Sequence, residues 1–125
     1  MKQLIETPSA PAAIGCYSQA IRFGNIVHLS GQIALDPKTM LLVSGGIAAE
    51  ISQVFENLKN VAIAAQGNLD AIVKLTVYLI DIADLAKVNE MMPNYFNKPY
   101  PARTSFQVAG LPKNARIEVD AVMAL

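Results

Sequence analysis

Hydrophobic positions spaced three and four residues apart mark two segments of the chain as helices. The first begins near Ile47 and should end near Gly67, with its apolar stripe turned toward a core. That stripe consists of Ile51, Val54, Phe55, Leu58, Val61, Ala62 and Ala65. A second helix is predicted from about Asp84, and Pro93 should kink or restart it because proline lacks a backbone N–H. Its inward-facing residues would be Leu85, Val88 and Met92.

Shorter runs of alternating or β-branched residues, bounded by turn residues, predict strands. Gly24 and Asn25 separate two such runs within residues 18–32, and this pair favours a two-residue hairpin turn. Further strands are predicted at residues 72–80, 103–108 and 116–123, and residues 40–43 are predicted to form a short edge strand.

The alternation within these strands assigns their side chains to two faces. The inward residues would be Val73, Leu75, Val77 and Leu79 in one strand and Ile117, Val119, Ala121 and Met123 in the last one. The last strand would then carry Arg116, Glu118 and Asp120 on its opposite face.

The order of these elements predicts an α+β fold, a mixed sheet with two helices packed on one face. Such a layer leaves the second sheet face without a cover. Because that face is half apolar and half ionisable, we expect neighbouring subunits to cover it and to form clefts between them. Its residues include Tyr78, Ile80, Glu118 and Val122.

Composition narrows the classes of protein to which the chain could belong. Its 125 residues suit one domain, residues 1–125, and 53% apolar against 16% charged residues favours an oligomer. The net charge is zero and the cations are scattered, so no nucleic-acid partner is expected. With one cysteine, no evident signal peptide and no run of about 18 apolar residues, we expect a cytoplasmic protein without a membrane partner.

The candidate chemistry does not include metal or nucleophile-dyad catalysis. His28 is the only histidine and Cys16 the only cysteine, so no zinc-like cluster and no Ser/His/Asp or Cys/His set is predicted. A phosphate-binding glycine loop is also missing, because Gly45 and Gly46 alone indicate a turn. We therefore expect neither a metal nor a cofactor.

A series of short motifs in fixed order spans nearly the whole chain. They lie at residues 10–15, 17–20, 29–33, 88–89, 101–103, 111–113 and 117–119 and read APAAIG, YSQA, LSGQI, VN, PAR, LPK and IEV. Taken together these motifs resemble the RidA (YjgF) family, also described as the L-PSP endoribonuclease family. Several separated matches in the right order are far more specific than one short motif.

The resemblance implies a chorismate-mutase-like α+β fold of the bacillus type, in a homotrimer whose sheets face inward. It also implies cofactor-free hydrolysis of reactive 2-enamino and 2-imino acids, such as 2-aminoacrylate and 2-iminobutanoate, to 2-keto acids and ammonia at subunit-interface sites. Catalytic roles would fall to Glu118, Tyr17 and Arg103, and substrate contacts to Arg103, Ser30, Gly31, Asn89 and Ser105. The chain departs from the commoner family pattern at Ser105, where cysteine is frequent, and at Cys16, Thr104 and Pro93.

These residue types suit the implied reaction. Arg103 can hold a substrate carboxylate through two parallel hydrogen bonds, and Glu118 can orient water and protonate the departing amine. Tyr17 can pack along a small ligand, Gly31 permits close backbone approach, and Asn89 can donate to the substrate.

Alternative interpretations remain at the level of residues and of function. Arg103 and Glu118 could instead form interface ion pairs, Glu118 with Arg116 or with Arg103. A non-catalytic trimer that binds small carboxylates is the alternative function. An endoribonuclease or translation inhibitor fits a neutral chain with one histidine poorly.

Overall fold

The computed structural model describes all 125 residues, which form six strands and two helices. The strands are β1 (Gln3–Ile5), β2 (Ala20–Phe23), β3 (Ile26–Gln32), β4 (Ile72–Leu79), β5 (Ala102–Gln107) and β6 (Ile117–Ala124). The helices are α1 (Ile47–Ala64) and α2 (Leu85–Met91). Single 3₁₀ turns lie at Leu69–Ala71, Ile82–Asp84, Met92–Asn94 and Pro112–Asn114.

The six strands form one sheet in the order β1-β2-β3-β6-β4-β5. Only β4 and β5 run parallel, because the chain crosses back through α2 between them. α1 packs on β3 and β6, and α2 packs beside α1. The predicted α+β fold with a mixed sheet and two helices is confirmed.

The predicted helix stripe forms the centre of the core. Its seven residues are all at most 1% exposed, and every second residue of β6 is buried against them. Each such aliphatic or aromatic side chain contributes roughly 1.5–3 kcal/mol when it leaves water. The hairpin turn at Gly24 and the second helix with its break at Pro93 are also confirmed.

Two sequence predictions about strands are wrong, and one strand was not predicted. Residues 40–43 form no strand, since Leu42 makes only an isolated bridge to Leu35. Val73 does not face the core and is 48% exposed, because an irregularity in the β4–β6 ladder between Ile72 and Lys74 puts Ile72 on the buried face instead. The short strand β1 was not predicted, and its three residues give too brief an alternation to be recognised.

Arg116 was predicted to share a face with Glu118, and this is wrong. Arg116 precedes β6, and both its backbone N–H and its guanidinium donate to the buried carboxylate of Glu50 on α1, at 2.9 and 2.8 Å. Within the chain, Arg116 therefore forms its ion pair with Glu50 and not with Glu118.

Gly67 follows the end of α1 as predicted, but not for its conformational freedom. The left-handed residue at this helix end is Gln66, with φ of 67°. A Cβ at residue 67 would lie 2.7 Å from Met123 Sδ, so the glycine allows the chain to pass closely over β6.

The sheet face away from the helices carries no cover within the chain. It combines exposed apolar residues such as Phe23 and Phe106 with the ionisable residues His28, Glu118 and Asp120. The prediction that neighbouring subunits cover this face stays a prediction. None of the helices has the length and hydropathy that a membrane crossing requires.

Candidate functional site

A cavity of about 750 Å³ opens on the uncovered sheet face. Its floor lies on the neighbouring strands β3 and β6, and its walls come from the loop before β2, from the segment after β3 that includes Met40 and from the turn at Pro112. Four predicted site residues line it, namely Tyr17, Ser30, Gly31 and Glu118. We call it the Glu118 cavity.

The carboxyl group of Glu118 lies directly against the backbone of Gly31. A Cβ built at residue 31 would overlap Glu118 Oε2 and lie 3.0 Å from its Cδ. The glycine was predicted to allow close approach of a ligand, whereas the structure shows that its missing side chain makes room for Glu118. Gly31 therefore fixes where the carboxyl group can lie.

Burial raises the pKa of Glu118 above its usual value of 4.5, and the negative charge of Asp120 raises it further. Asp120 lies two residues along the same face and accepts a 2.7 Å hydrogen bond from the Tyr78 hydroxyl. That bond is also the main reason why the pKa of Tyr78 is raised. Tyr78 lies directly opposite Glu118 in the ladder, so the three side chains form one polar group, of which Glu118 and Asp120 line the cavity.

The hydroxyl proton of Ser30 is taken up by a hydrogen bond within the protein. Its Oγ donates to Ser18 O at 2.6 Å, and its backbone N–H donates to Gln19 O at 2.9 Å. The hydroxyl therefore offers only acceptor lone pairs to a ligand in the cavity. These bonds also hold the segment that directly follows Tyr17.

The buried amide of Gln19 organises the loop that carries Tyr17. Its Nε2 donates to the carbonyl oxygens of Thr7, Ala10 and Pro11, and its Oε1 accepts from the N–H of Thr7 at 2.7 Å. Tyr17 itself is 54% exposed, and its hydroxyl oxygen accepts a long 3.4 Å bond from Ile14 N–H. The Tyr17 hydroxyl proton thus remains available to a ligand.

Arg103 lies in a second, smaller cleft of about 350 Å³ between β5 and the end of α2. Its Nη1 donates to Asn89 Oδ1 at 2.7 Å and approaches Met92 Sδ at 3.3 Å. We call this the Arg103 cleft. The carbonyl of Asn89 therefore orients the guanidinium, while the amide N–H groups of Asn89 stay free.

Ser105 lies two residues beyond Arg103 on the same face of β5. Its Oγ is the one buried side-chain oxygen or nitrogen in the chain without a hydrogen-bond partner. An unpaired buried hydroxyl is unfavourable by roughly 1–3 kcal/mol, and a ligand or partner group could satisfy it.

The two groups of predicted site residues do not meet within one chain. In the β4–β5 ladder Arg103 lies opposite Leu75, which is buried beneath the helices. Glu118 lies opposite Tyr78, three residues further along β4 and so on the other face of the sheet. One protomer thus presents the Glu118 cavity on one face and the Arg103 cleft at the edge of the other.

Sequence reasoning missed three residues that shape these sites. Nothing in the sequence distinguishes Gln19 or Tyr78 from the other residues of their segments. The one available indication is that a polar residue next to a predicted strand, such as Gln19, can be buried and structural. Asp120 was on the predicted face but was not given a role.

His28 lines the Glu118 cavity and is exposed. No group of three or more His, Cys, Asp or Glu side chains is placed to hold a metal ion.

Comparison with known proteins gives close relatives over almost the full chain. A family model described as endoribonuclease L-PSP matches residues 7–125. A RutC family protein of Pyrococcus horikoshii is 46% identical over 122 residues, covering 98% of this chain and 97% of the relative. Human 2-iminobutanoate/2-iminopropanoate deaminase is 45% identical over 122 residues, covering 98% and 89%. The crystal structure of RidA from the Antarctic bacterium Psychrobacter sp. PAMC 21119 is 46% identical and superposes with a TM-score of 0.95, covering 98% of this chain and 99% of that one.

Proposed function

Because the chain belongs to the RidA/YjgF family, we propose that it hydrolyses 2-imino and 2-enamino acids to 2-keto acids and ammonia. The deaminase name of the human relative supports this reaction class. The observation that carries the proposal is the half-buried Glu118 carboxyl group with its raised pKa, held against Gly31 in an open cavity.

Glu118 has the properties that the hydrolysis needs. Its carboxylate accepts a proton from water while the water oxygen bonds to the C=N carbon of the imine. The carboxylic acid so formed returns that proton to the nitrogen, which gives a carbinolamine. The carboxylate then takes the proton of the carbinolamine hydroxyl and passes it to the amino group. The C=O bond forms as the C–N bond breaks, and the products are the 2-keto acid and ammonia. A raised pKa makes these transfers easier near neutral pH than they would be with a free carboxylate. An enamine enters the same sequence after it takes up a proton at its β-carbon.

Arg103 supplies the complementary anchor for the substrate carboxylate. Its guanidinium is held by Asn89, so less conformational freedom is lost when a carboxylate binds. Ser105 lies on the same face of β5, but its hydroxyl is buried and does not line the Arg103 cleft within one protomer, so Arg103 carries the binding of the carboxylate.

We further propose that the complete site combines the Glu118 cavity of one protomer with the Arg103 cleft of a neighbour, in a homotrimer. The two lie on opposite faces of the sheet within one chain, so a single small substrate cannot contact both there. A cyclic trimer can bring the β5 edge of one copy against the uncovered face of the next and repeat the composite site three times.

The direct test of the anchor is the Arg103→Ala substitution. We expect the Kd for a 2-keto acid to rise roughly 100-fold, about 3 kcal/mol, because a charged bidentate interaction is lost. Isothermal calorimetry measures the binding, and an assay coupled to a threonine dehydratase measures keto-acid release. Arg22→Ala is the matched control, since Arg22 bonds only the hairpin backbone at Gly24. No acceleration of keto-acid release over buffer by the folded wild-type oligomer would end the deaminase proposal.

The same experiment separates the alternative function. A trimer that binds 2-keto acids through Arg103 but leaves the rate of imine hydrolysis unchanged is a carboxylate-binding module. RNA cleavage is the less favoured activity, because a chain with zero net charge and cations scattered along its sequence gives a polyanion little net attraction.

A further inference from the structure

The turn before α1 contains a strained residue beside the Glu118 cavity. Met40 has φ of 58°, in the left-handed region where a side chain collides with its own backbone. Asparagine adopts this conformation readily, but an unbranched hydrophobic residue rarely does. Strained backbone of this kind persists only where its surroundings enforce it.

The surroundings of Met40 do enforce the conformation. Both the side chain and the backbone of Asp36 accept hydrogen bonds within the turn. Its Oδ1 accepts from Lys38 N–H at 2.7 Å, and its carbonyl accepts from Met40 N–H at 2.8 Å. The N–H of Asp36 donates to the carbonyl of Leu41 at 2.9 Å. On the helix side, the buried amide of Asn57 donates to the carbonyls of Ile33 and Leu35, which precede the turn. Met40 cannot relax by moving the turn.

The side chain of this residue lines the Glu118 cavity and is partly buried. The apolar wall formed with Ile14 and Leu35 contrasts with the polar floor at Ser30, Glu118 and Asp120. A 2-imino acid whose reacting carbon lies at the polar floor can place its own side chain along this apolar wall. Methionine has three rotatable side-chain bonds and adapts to such contacts.

We propose that Met40 is a specificity-determining residue, which limits the size of the substrate side chain that the Glu118 cavity accepts. This inference rests on the proposed deaminase function for the identity of the substrate, but not on catalysis for its test. The hydrogen-bonded turn holds the backbone of Met40 beside the Glu118 cavity, so a change in the length of its side chain changes the space that the cavity offers to a ligand.

Two substitutions separate the side chain from the backbone strain. Met40→Ala removes the side chain but keeps a Cβ in the left-handed region, whereas Met40→Gly removes both. We expect both variants to shift the ratio of the Kd values for phenylpyruvate and 2-ketobutyrate about tenfold in favour of the larger ligand. The ratio of kcat/KM for the corresponding imines should shift in the same direction. Met40→Gly should melt about 3–6 °C above Met40→Ala.

Leu41→Ala is the matched control, because Leu41 is 68% exposed in the same turn and does not line the cavity. It should leave both ratios unchanged. Ratios that stay within twofold of the wild type in both Met40 variants, or that shift equally in Leu41→Ala, would overturn the inference. The binding ratio decides this even if the wild type proves to have no deaminase activity, and failure of both keto acids to bind the wild type would overturn the two proposals together.

Discussion

At the scale of single residues, the Glu118 cavity is built around one carboxyl group whose surroundings disfavour its charge. Burial and the neighbouring Asp120 raise the pKa of Glu118, and no hydrogen bond lowers it. At pH values above the pKa of the free side chain, this raised pKa lowers the free energy of unfolding. The reason is that the charged carboxylate is less stable in the folded protein than in the unfolded chain. Such a cost at a cavity floor is typical of a group that exchanges protons with a ligand.

The pH dependence of the reaction follows from this shift. If Glu118 accepts the proton of water, kcat/KM should rise with pH as Glu118 ionises, with a midpoint above 4.5. Asp120→Asn removes the neighbouring negative charge while its amide oxygen can still accept from Tyr78, so the midpoint should move to lower pH. A pH profile of both proteins measures this. An acid limb that stays in place in Asp120→Asn would show that Asp120 does not act on Glu118.

Gly31 offers a second test at the same scale. In Gly31→Ala the new Cβ would occupy the place of the Glu118 carboxyl group, which can swing into the open cavity instead. We expect kcat to fall about 10- to 100-fold, because the group loses its position, with a change in Tm of at most a few degrees. A variant with wild-type kcat would contradict the importance of this contact. Gly110→Ala is the control, since a Cβ there meets no atom within 4 Å.

At the scale of secondary-structure elements, α1 does more than fill the core with its apolar stripe. Its two buried polar side chains tie separate segments to the helix: Glu50 binds the residue that leads into β6, and Asn57 binds the segment after β3. Glu118 comes shortly after the first of these segments in the chain, and Met40 comes shortly after the second. The helix therefore positions both sides of the Glu118 cavity.

Removal of the Glu50 carboxylate should destabilise the fold, even though the Arg116 side chain that it binds is partly exposed. Glu50→Leu leaves the backbone N–H of Arg116 without its acceptor, so we expect the free energy of unfolding to fall by about 2 kcal/mol. Urea unfolding at fixed protein concentration measures it as a lower midpoint with an unchanged m-value. The control is Glu90→Leu, which removes the exposed Lys87–Glu90 pair and should cost less than about 0.5 kcal/mol. Equal effects of the two substitutions would contradict the anchor role.

The sequence predicts elements well where their periodicity is long, and poorly where a tertiary contact decides. The stripe of α1 and the alternation of β6 extend over enough residues to be read directly. Val73 was misassigned because one ladder irregularity reverses the alternation, and Arg116 because Glu50, 66 residues away in sequence, draws it out of the strand pattern. Neither the ladder irregularity nor the contact between Arg116 and Glu50 can be recognised from the residues around it in the sequence.

At the scale of the whole molecule, the motifs named the candidate site residues but not their arrangement. Tyr17, Ser30, Gly31 and Glu118 line one cavity, whereas Asn89 and Arg103 line the Arg103 cleft on the other side of the sheet. Sequence order and strand parity alone do not show this division, because it depends on which strand pairs with β4 at the sheet edge. The division makes oligomerisation part of the proposed mechanism.

The most direct test of the composite site is complementation between two inactive chains. Arg103→Ala and Glu118→Gln are each purified as homo-oligomers, then co-expressed and isolated as mixed oligomers whose composition is verified by mass spectrometry. If each site joins Glu118 of one protomer to Arg103 of its neighbour, about a quarter of the sites in an equal mixture contain both intact residues, and deaminase activity returns to that fraction of the wild type. Mixed oligomers that remain as inactive as the two parent variants would contradict the composite site.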